Sequence, residues 1–384
     1  MKRNYTDFPL LETNKKSFPL FYPYVSKKSL KSVTDVLKTR WIGQGPLVDK
    51  FEDTFKAKFA KTNYCVAVGS GTDALHLAYI LAGIKKNDEV ICPIFTCTAT
   101  NIPLLYIGAK IKFADIDPKT MNIDIQSVKK LITSKTKAIV FVNYGGLPCD
   151  LKELNAIAKK RKIVLIQDAA QSLAAKYNNK SIVKYADYTI YSFQAIKQIT
   201  SGDGGMLVFK DKKKLKKAYR IRWFGIDRLA KQGGTWENDI KEIGFKYQMT
   251  DIGASLLLES IKDFKKIWSH RRKLYKIYEK TLLKNSSITI MDKKKSGTQH
   301  SNWLFTICLK RKDYLQKKLR QNGVETNQVH FRNDRYSIFK SFTKGKKFKN
   351  MDLVENNYLV LPIHPKVKLS DAKRISNLIM KIIN

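Results

Sequence analysis

Seven short apolar runs recur through the first two-thirds of the chain, and their rhythm limits the possible folds more than any other feature. "YCVAVG", "EVICP", "AKIKFADI", "KAIVFVNY", "IVLIQD", "YTIYSF" and "GMLVF" are rich in β-branched and aromatic residues. Most are separated by helical patterns such as "GTDALHLAYILAGI" and "DLKELNAIAKKRK". A helix between consecutive strands is the crossover that parallel pairing needs, so the pattern predicts an α/β fold with a largely parallel sheet. The runs are nearly continuously apolar, as strands covered by helices on both faces should be.

After Asp251 comes a long helical pattern, "DIGASLLLESIKDFKKIWSHRRKLYKIYEKTLLK", with apolar residues spaced by three and four. Beyond it, "NWLFTICLK", "LQKKLRQNGVETNQV" and "LSDAKRISNLIMKII" predict a small α+β domain. At 384 residues the chain exceeds one usual domain. The expected division is a large domain over residues 1–255 and, over 256–384, the long helix with the small C-terminal domain.

Charge narrows the function less than its size suggests. The formal net charge is +40, which raises nucleic acid, an anionic surface or phosphorylated substrates as partners. The lysines are spread along the chain, however, and runs such as "KDKKKLKKAYR" read as solvated helix faces. No zinc spacing or aromatic RNA-binding signature accompanies them, so no nucleic-acid partner is expected. Five cysteines, an odd number without a CxxC pair, point to reduced thiols and to no metal site. The opening "MKRNYTDFPLLETNKK" is polar and no apolar run is long enough to span a bilayer, so the expectation is a cytoplasmic chain without a membrane partner.

The residues that carry chemistry stand at the ends of the runs. Asp168 closes "IVLIQD", where a carboxylate either faces the crevice outside the carboxyl ends of the strands or caps a helix starting "AAQSLAAKY". Lys197 lies between the aromatic run ending at Ser192 and the glycine-rich "GDGG". A lysine beside such a strand can lose proton affinity and attack a carbonyl. The "GSGTDAL" turn, Gly69 to Leu75, suits close approach of backbone N–H groups to an anion at a helix N-terminus, although capping explains it equally well.

Taken in order, these elements resemble pyridoxal-phosphate enzymes of the aspartate-aminotransferase fold, fold type I. More narrowly, "RWIGQGPLVDKFE", "SGTDALHLA", "ICPIFTCTATNIPLLYIGAKIKFADIDPKTMNID", "QDAAQS", "SFQAIKQITSGDGG", "GFKYQMTDIGAS" and "LVLPIHP" resemble the DegT/StrS family of nucleotide-sugar aminotransferases over almost the whole length. The resemblance implies that Lys197 binds pyridoxal 5'-phosphate covalently and then moves a proton between two carbons. It implies that Asp168 pairs with the pyridinium nitrogen. Gln171 is similar to the residue that bonds the ring's phenolic oxygen, and Thr72, Asp73 by its backbone N–H, and Ser192 match phosphate-contacting positions.

Two positions depart from the family's commoner pattern. Cys97 stands where an aromatic residue usually stacks on the cofactor ring, leaving the ring to pack on the thiol, on Phe95 or on another side chain. Lys246 stands where an asparagine usually reaches the phosphate across a dimer interface; either a charged contact replaces it or Lys246 is an exposed residue with no contact. His330 is expected on the substrate side or as a packing residue. Arg222 and Arg228 in "RWFGIDR" either grip a diphosphate or are surface residues at a helix end. The aromatic "FPLFYPY" either lines the sugar pocket or covers the core, and is assigned to the core.

The implied reaction passes an amino group from L-glutamate to a nucleoside-diphosphate keto-deoxysugar, in amino sugar biosynthesis for a surface polysaccharide or glycoconjugate. The implied assembly is a homodimer with shared active sites. The alternatives are a pyridoxamine-phosphate sugar dehydratase, which characteristically has histidine at the lysine position, and a cofactor-binding regulatory protein without catalysis.

Overall fold

The computed structural model describes residues 17–61, 63–237, 239–292 and 296–383; the polar opening segment 1–16 lies outside the described residues. All seven runs become strands of one sheet. They are β1 (Tyr64–Val68), β2 (Glu89–Pro93), β3 (Lys110–Ala114), β4 (Thr136–Val142), β5 (Val164–Asp168), β6 (Tyr188–Ser192) and β7 (Gly205–Phe209). Their spatial order is β1-β7-β6-β5-β4-β2-β3. Only β7 runs against the others, pairing antiparallel with both β1 and β6.

Side chains alternate across this sheet, and both sides are dry. In β2, Val90 and Cys92 join one apolar core while Ile91 joins the other. Ile166 and Leu165 of β5 divide in the same way. Burial on both faces explains the unbroken apolar runs.

The helices begin where the chain offers a cap. Helix α1 (Gly71–Leu81) starts at Ser70, whose Oγ accepts the Asp73 N–H at 3.0 Å. The 32-residue helix α2 (Asp251–Leu282) starts at Thr250, whose side chain accepts the Gly253 N–H. Asp251, in its first turn, also accepts the N–H groups of Gly45, Leu47 and Val48 at 2.8 to 3.1 Å, so it caps the N-terminal helix Pro46–Phe55. Gly45 has to be glycine there, because a Cβ would come within 2.7 Å of the Asp251 carboxylate.

A third core lies against the far half of α2. Leu274, Tyr278 and Leu282 pack there with a three-stranded antiparallel sheet made of Thr289–Ile290, Phe305–Cys308 and Tyr358–Leu361. Helices Lys312–Gln321 and Leu369–Ile383 complete it. The earlier residues of α2, Ala254 to Ile267, belong to the large sheet's core, so the units drawn at 1–255 and 256–384 share this helix. From "FPLFYPY", Leu20 is buried in the large core and Phe21 stacks on Trp303. Among the described residues, no helix is long and apolar enough to cross a membrane.

Candidate active site

The reversed strand β7 decides where chemistry can gather. The carboxyl ends of β1, β2, β4, β5 and β6 all open on one edge of the sheet, and the connection from β6 to β7 stays on that edge. The loop after β1, the turn after β2, Gly145, Asp168, Ser192 and Lys197 are thereby brought together.

At one end of this edge the N-terminus of α1 presses on Ser192. A Cβ on Gly71 would lie 2.8 Å from the Ser192 Cβ, and one on Gly205 would lie 2.2 Å from the Ser70 carbonyl oxygen. Thr72 lies in the helix's first turn. The Asp73 N–H, expected to meet a phosphate, donates here to the capping Ser70 Oγ. The first-turn N–H groups of Gly71 and Thr72 are those a helix leaves without an internal partner. Burial lifts the Asp73 carboxyl to about 6, with Asp203 adding to the rise and hydrogen bonds from Ser70 opposing it.

Asp168 sits in the middle, 4% exposed. The chain after it makes a turn rather than the helix considered from sequence, so its capping is confined to the Ala170 N–H at 3.0 Å. Its other oxygen accepts Thr100 Oγ1 at 2.7 Å. Burial raises its proton affinity, and the Ala170 N–H, Thr100 and the charge of Lys197 oppose the rise. Among the described residues none forms an ion pair with it. Lys197 is half-buried beside it, and burial pulls its amine down to about 8, with Cys97 and Asp168 acting in opposition.

Gln171 spans the crevice wall. Its Oε1 accepts the Gly145 N–H at 2.7 Å, which leaves Nε2 as the donor toward His330 Nε2 at 3.0 Å. His330 must accept there, so its proton is on Nδ1. Burial first, and then Lys197, push it down to about 3 and keep it neutral. Cys97 is exposed at the start of the turn Thr98–Thr100 and near enough to act on Lys197. Phe95 is 2% exposed and held among Tyr144, Tyr358 and His330 at ring separations of 5.2 to 6.3 Å, so it is not free to replace Cys97 at the crevice surface.

Three other expected residues stand apart. Arg222 is buried, with Nη1 donating to Glu52 at 2.7 Å and to the Ala67 carbonyl at 2.9 Å. The diphosphate grip expected of it gives way to this internal ion pair, because a guanidinium so deep must be neutralised within the fold. Arg228 donates to the Gln44 carbonyl at 2.6 Å and, with Arg222, Trp41 and Asp49, lines a separate cavity of about 550 Å³. Lys246 is exposed, its amine 3.8 Å from the centre of the Trp223 ring.

Sequence reasoning missed Thr100, Gly145 and Trp303. Gly145 adopts φ 64 and Gly146 φ 100, a backbone that favours glycine, and "YGG" directly after a strand was a readable sign. Thr100 and Trp303 gave none, since each reaches the site through a contact distant in sequence.

The sequence matches the DegT/DnrJ/EryC1/StrS aminotransferase family over residues 23–380. GDP-perosamine synthase of Escherichia coli O157:H7 is 32% identical over 323 residues, covering 82% of this chain and 85% of that protein. The UDP-4-amino-4,6-dideoxy-N-acetyl-beta-L-altrosamine transaminase of Campylobacter jejuni is 31% identical over 371 residues, covering 94% and 96%. Among solved structures, the pyridoxamine-phosphate (PMP) form of the putative sugar aminotransferase Spr1654 from Streptococcus pneumoniae superposes with a TM-score of 0.88 at 25% identity, covering 95% of this chain and 98% of that one.

Proposed function

The chain belongs to the DegT/DnrJ/EryC1/StrS aminotransferase family, and from that premise we propose that it passes an amino group from L-glutamate to a keto-deoxysugar carried on a nucleoside diphosphate. It is a sugar aminotransferase that uses pyridoxal phosphate. One observation carries the assignment of roles: Lys197 and Asp168 both stand at the carboxyl edge of the sheet, close enough for each to act on the other's charge, beside the glycine-lined N-terminus of α1. Lysine rather than histidine at position 197 favours transfer over dehydration.

The residues present fit the cofactor. The close approach of Gly71 to Ser192 suits the cofactor's phosphate, which Thr72 and Ser192 would hold. Asp168, buried without a cationic partner among the described residues, suits a protonated ring nitrogen. Bound there, pyridoxal phosphate supplies an electrophilic carbonyl and an electron-accepting ring. Lys197 supplies the amine and carries the proton between carbons. Lowering its pKa from 10.5 to about 8 raises its unprotonated fraction at pH 7 about 300-fold. Gln171 would offer an N–H to the ring's oxygen, Cys97 would border the ring, and neutral His330 would serve the substrate side.

Lys246, exposed on the surface, is assigned to the crevice of a second copy, in a cytoplasmic homodimer. The products would enter a surface polysaccharide or glycoconjugate. The test is the visible spectrum of the protein with added pyridoxal phosphate, before and after L-glutamate, for wild type and Lys197→Ala, followed by product mass. A yellow absorbance that needs Lys197 and bleaches with glutamate, and an amino sugar as product, are expected. A deoxygenated ketosugar, or undiminished turnover by Lys197→Ala, would refute the proposal.

A further inference from the structure

Trp303 is fully buried, yet it touches the one lysine on which the proposed chemistry rests. The Lys197 amine lies 4.0 Å from the centre of its ring. Its indole N–H donates at 3.0 Å to the carbonyl of Ile196, the residue just before that lysine. Its own backbone is fixed independently, since the N–H groups of Trp303 and Leu304 both donate to the Gly145 carbonyl at 3.0 Å. The ring also packs nearly parallel to Phe21 and His330, at interplanar angles of 21° and 22°.

We infer that Trp303 is the positioning residue of Lys197: its N–H fixes the lysine's backbone, and its ring face receives the lysine's amine, so one side chain sets both ends. The assignment rests on reading Lys197 as the reactive amine. A ring face attracts the ammonium form and gains nothing from the neutral amine, so the indole raises proton affinity at a place where burial lowers it. The other titratable groups acting on Lys197 are Cys97 after β2, Asp168 at the end of β5, and His330. His330 is neutral across the working range and contributes no opposing charge there.

The test uses cofactor-free protein. Lys197 is labelled by an amine-reactive acylating reagent across pH, and labelling is read by peptide mass spectrometry. Replacing the indole by Trp303→Leu should lower the labelling midpoint by about one pH unit. Trp303→Phe keeps a ring and should lower it by less than half as much. Both variants lose the N–H bond to Ile196, so the difference between them belongs to the ring face.

A Trp303→Leu protein that is folded by circular dichroism but keeps the wild-type midpoint overturns the assignment. Tryptophan emission of otherwise intact protein gives an answer even if that variant does not fold. A pH step near 8 should be present in wild type and absent from Lys197→Met. No step in wild type, or the same step in both, overturns the assignment as well. The aminotransfer proposal fails separately, through turnover by Lys197→Ala, and these cofactor-free readouts do not depend on it.

Discussion

Two buried carboxyl groups, Glu52 and Asp168, show how this fold separates structural charge from working charge. Burial raises the proton affinity of both, yet their partners differ. Glu52 accepts the Ala67 N–H, the Arg222 guanidinium and the Tyr219 hydroxyl at 2.7 to 3.1 Å, a closed set that includes a full positive charge. Among the described residues Asp168 accepts an N–H and a hydroxyl and forms no ion pair, and the cation acting on it is a lysine held half-ready to lose its proton. Closed sets hold the fold together, whereas open ones are available to a ligand.

The sharpest break of this comparison is Lys197→Ala. Loss of proton transfer alone should lower kcat by about 10²- to 10⁴-fold, with the thermal midpoint at neutral pH preserved or raised. Unfolding stability of the variant should also lose a rise that wild type shows between about pH 8 and 10.5, where the unfolded chain binds the lysine proton more tightly than the fold does.

Glu52→Ala should do the opposite to the fold. Stranding Arg222 in the interior costs about 3–5 kcal/mol, read from denaturant unfolding. The matched change at the open site, Asp168→Asn, should cost less than about 1 kcal/mol, because the amide is nearly isosteric and no buried cation is stranded. Turnover should nevertheless fall. If Asp168→Asn destabilised the protein as much as Glu52→Ala, the distinction between open and closed sets would be lost.

The smallest effect concerns Asp73. Its folded carboxyl holds a proton up to about 6 against an ordinary 3.8, so the folded state binds more protons in that window and stability falls as pH rises from about 4 to 6. In cofactor-free Asp73→Asn the thermal midpoint should lose that part of its slope.

The seven strands and the long helix were legible because their signals are local, in unbroken apolar runs and in three-and-four spacing. The gathering of Lys197, Asp168 and Ser192 on one edge was legible because they stand next to strand ends, where topology places a crevice. Arg222 does end a helix, but its burial was not legible because its partner Glu52 is distant in sequence, and charge pairing across such a distance leaves no pattern nearby. The same distance hid Trp303, and it hid the bond that fixes Gln171 to His330. The turn after Asp168 was read as a possible helix because "AAQSLAA" has helical composition. Bonds from Gly145 to Gln171 and from Ala170 to Asp168 hold it otherwise.

The reversal of β7 also has a consequence for the order of assembly. Strands β6 and β7 pair across one short connection, from Ser192 against Gly205 to Tyr188 against Phe209, so closing them costs little chain entropy. Strand β1 reaches the same β7 only by joining Tyr64 to Phe209 over more than a hundred residues. Local pairings form readily and distant ones late. A nascent or partly unfolded chain would therefore carry its lysine on a formed hairpin while the anion-binding turn is still undocked, and competence to hold the cofactor would report that the most distant strand of the sheet has arrived.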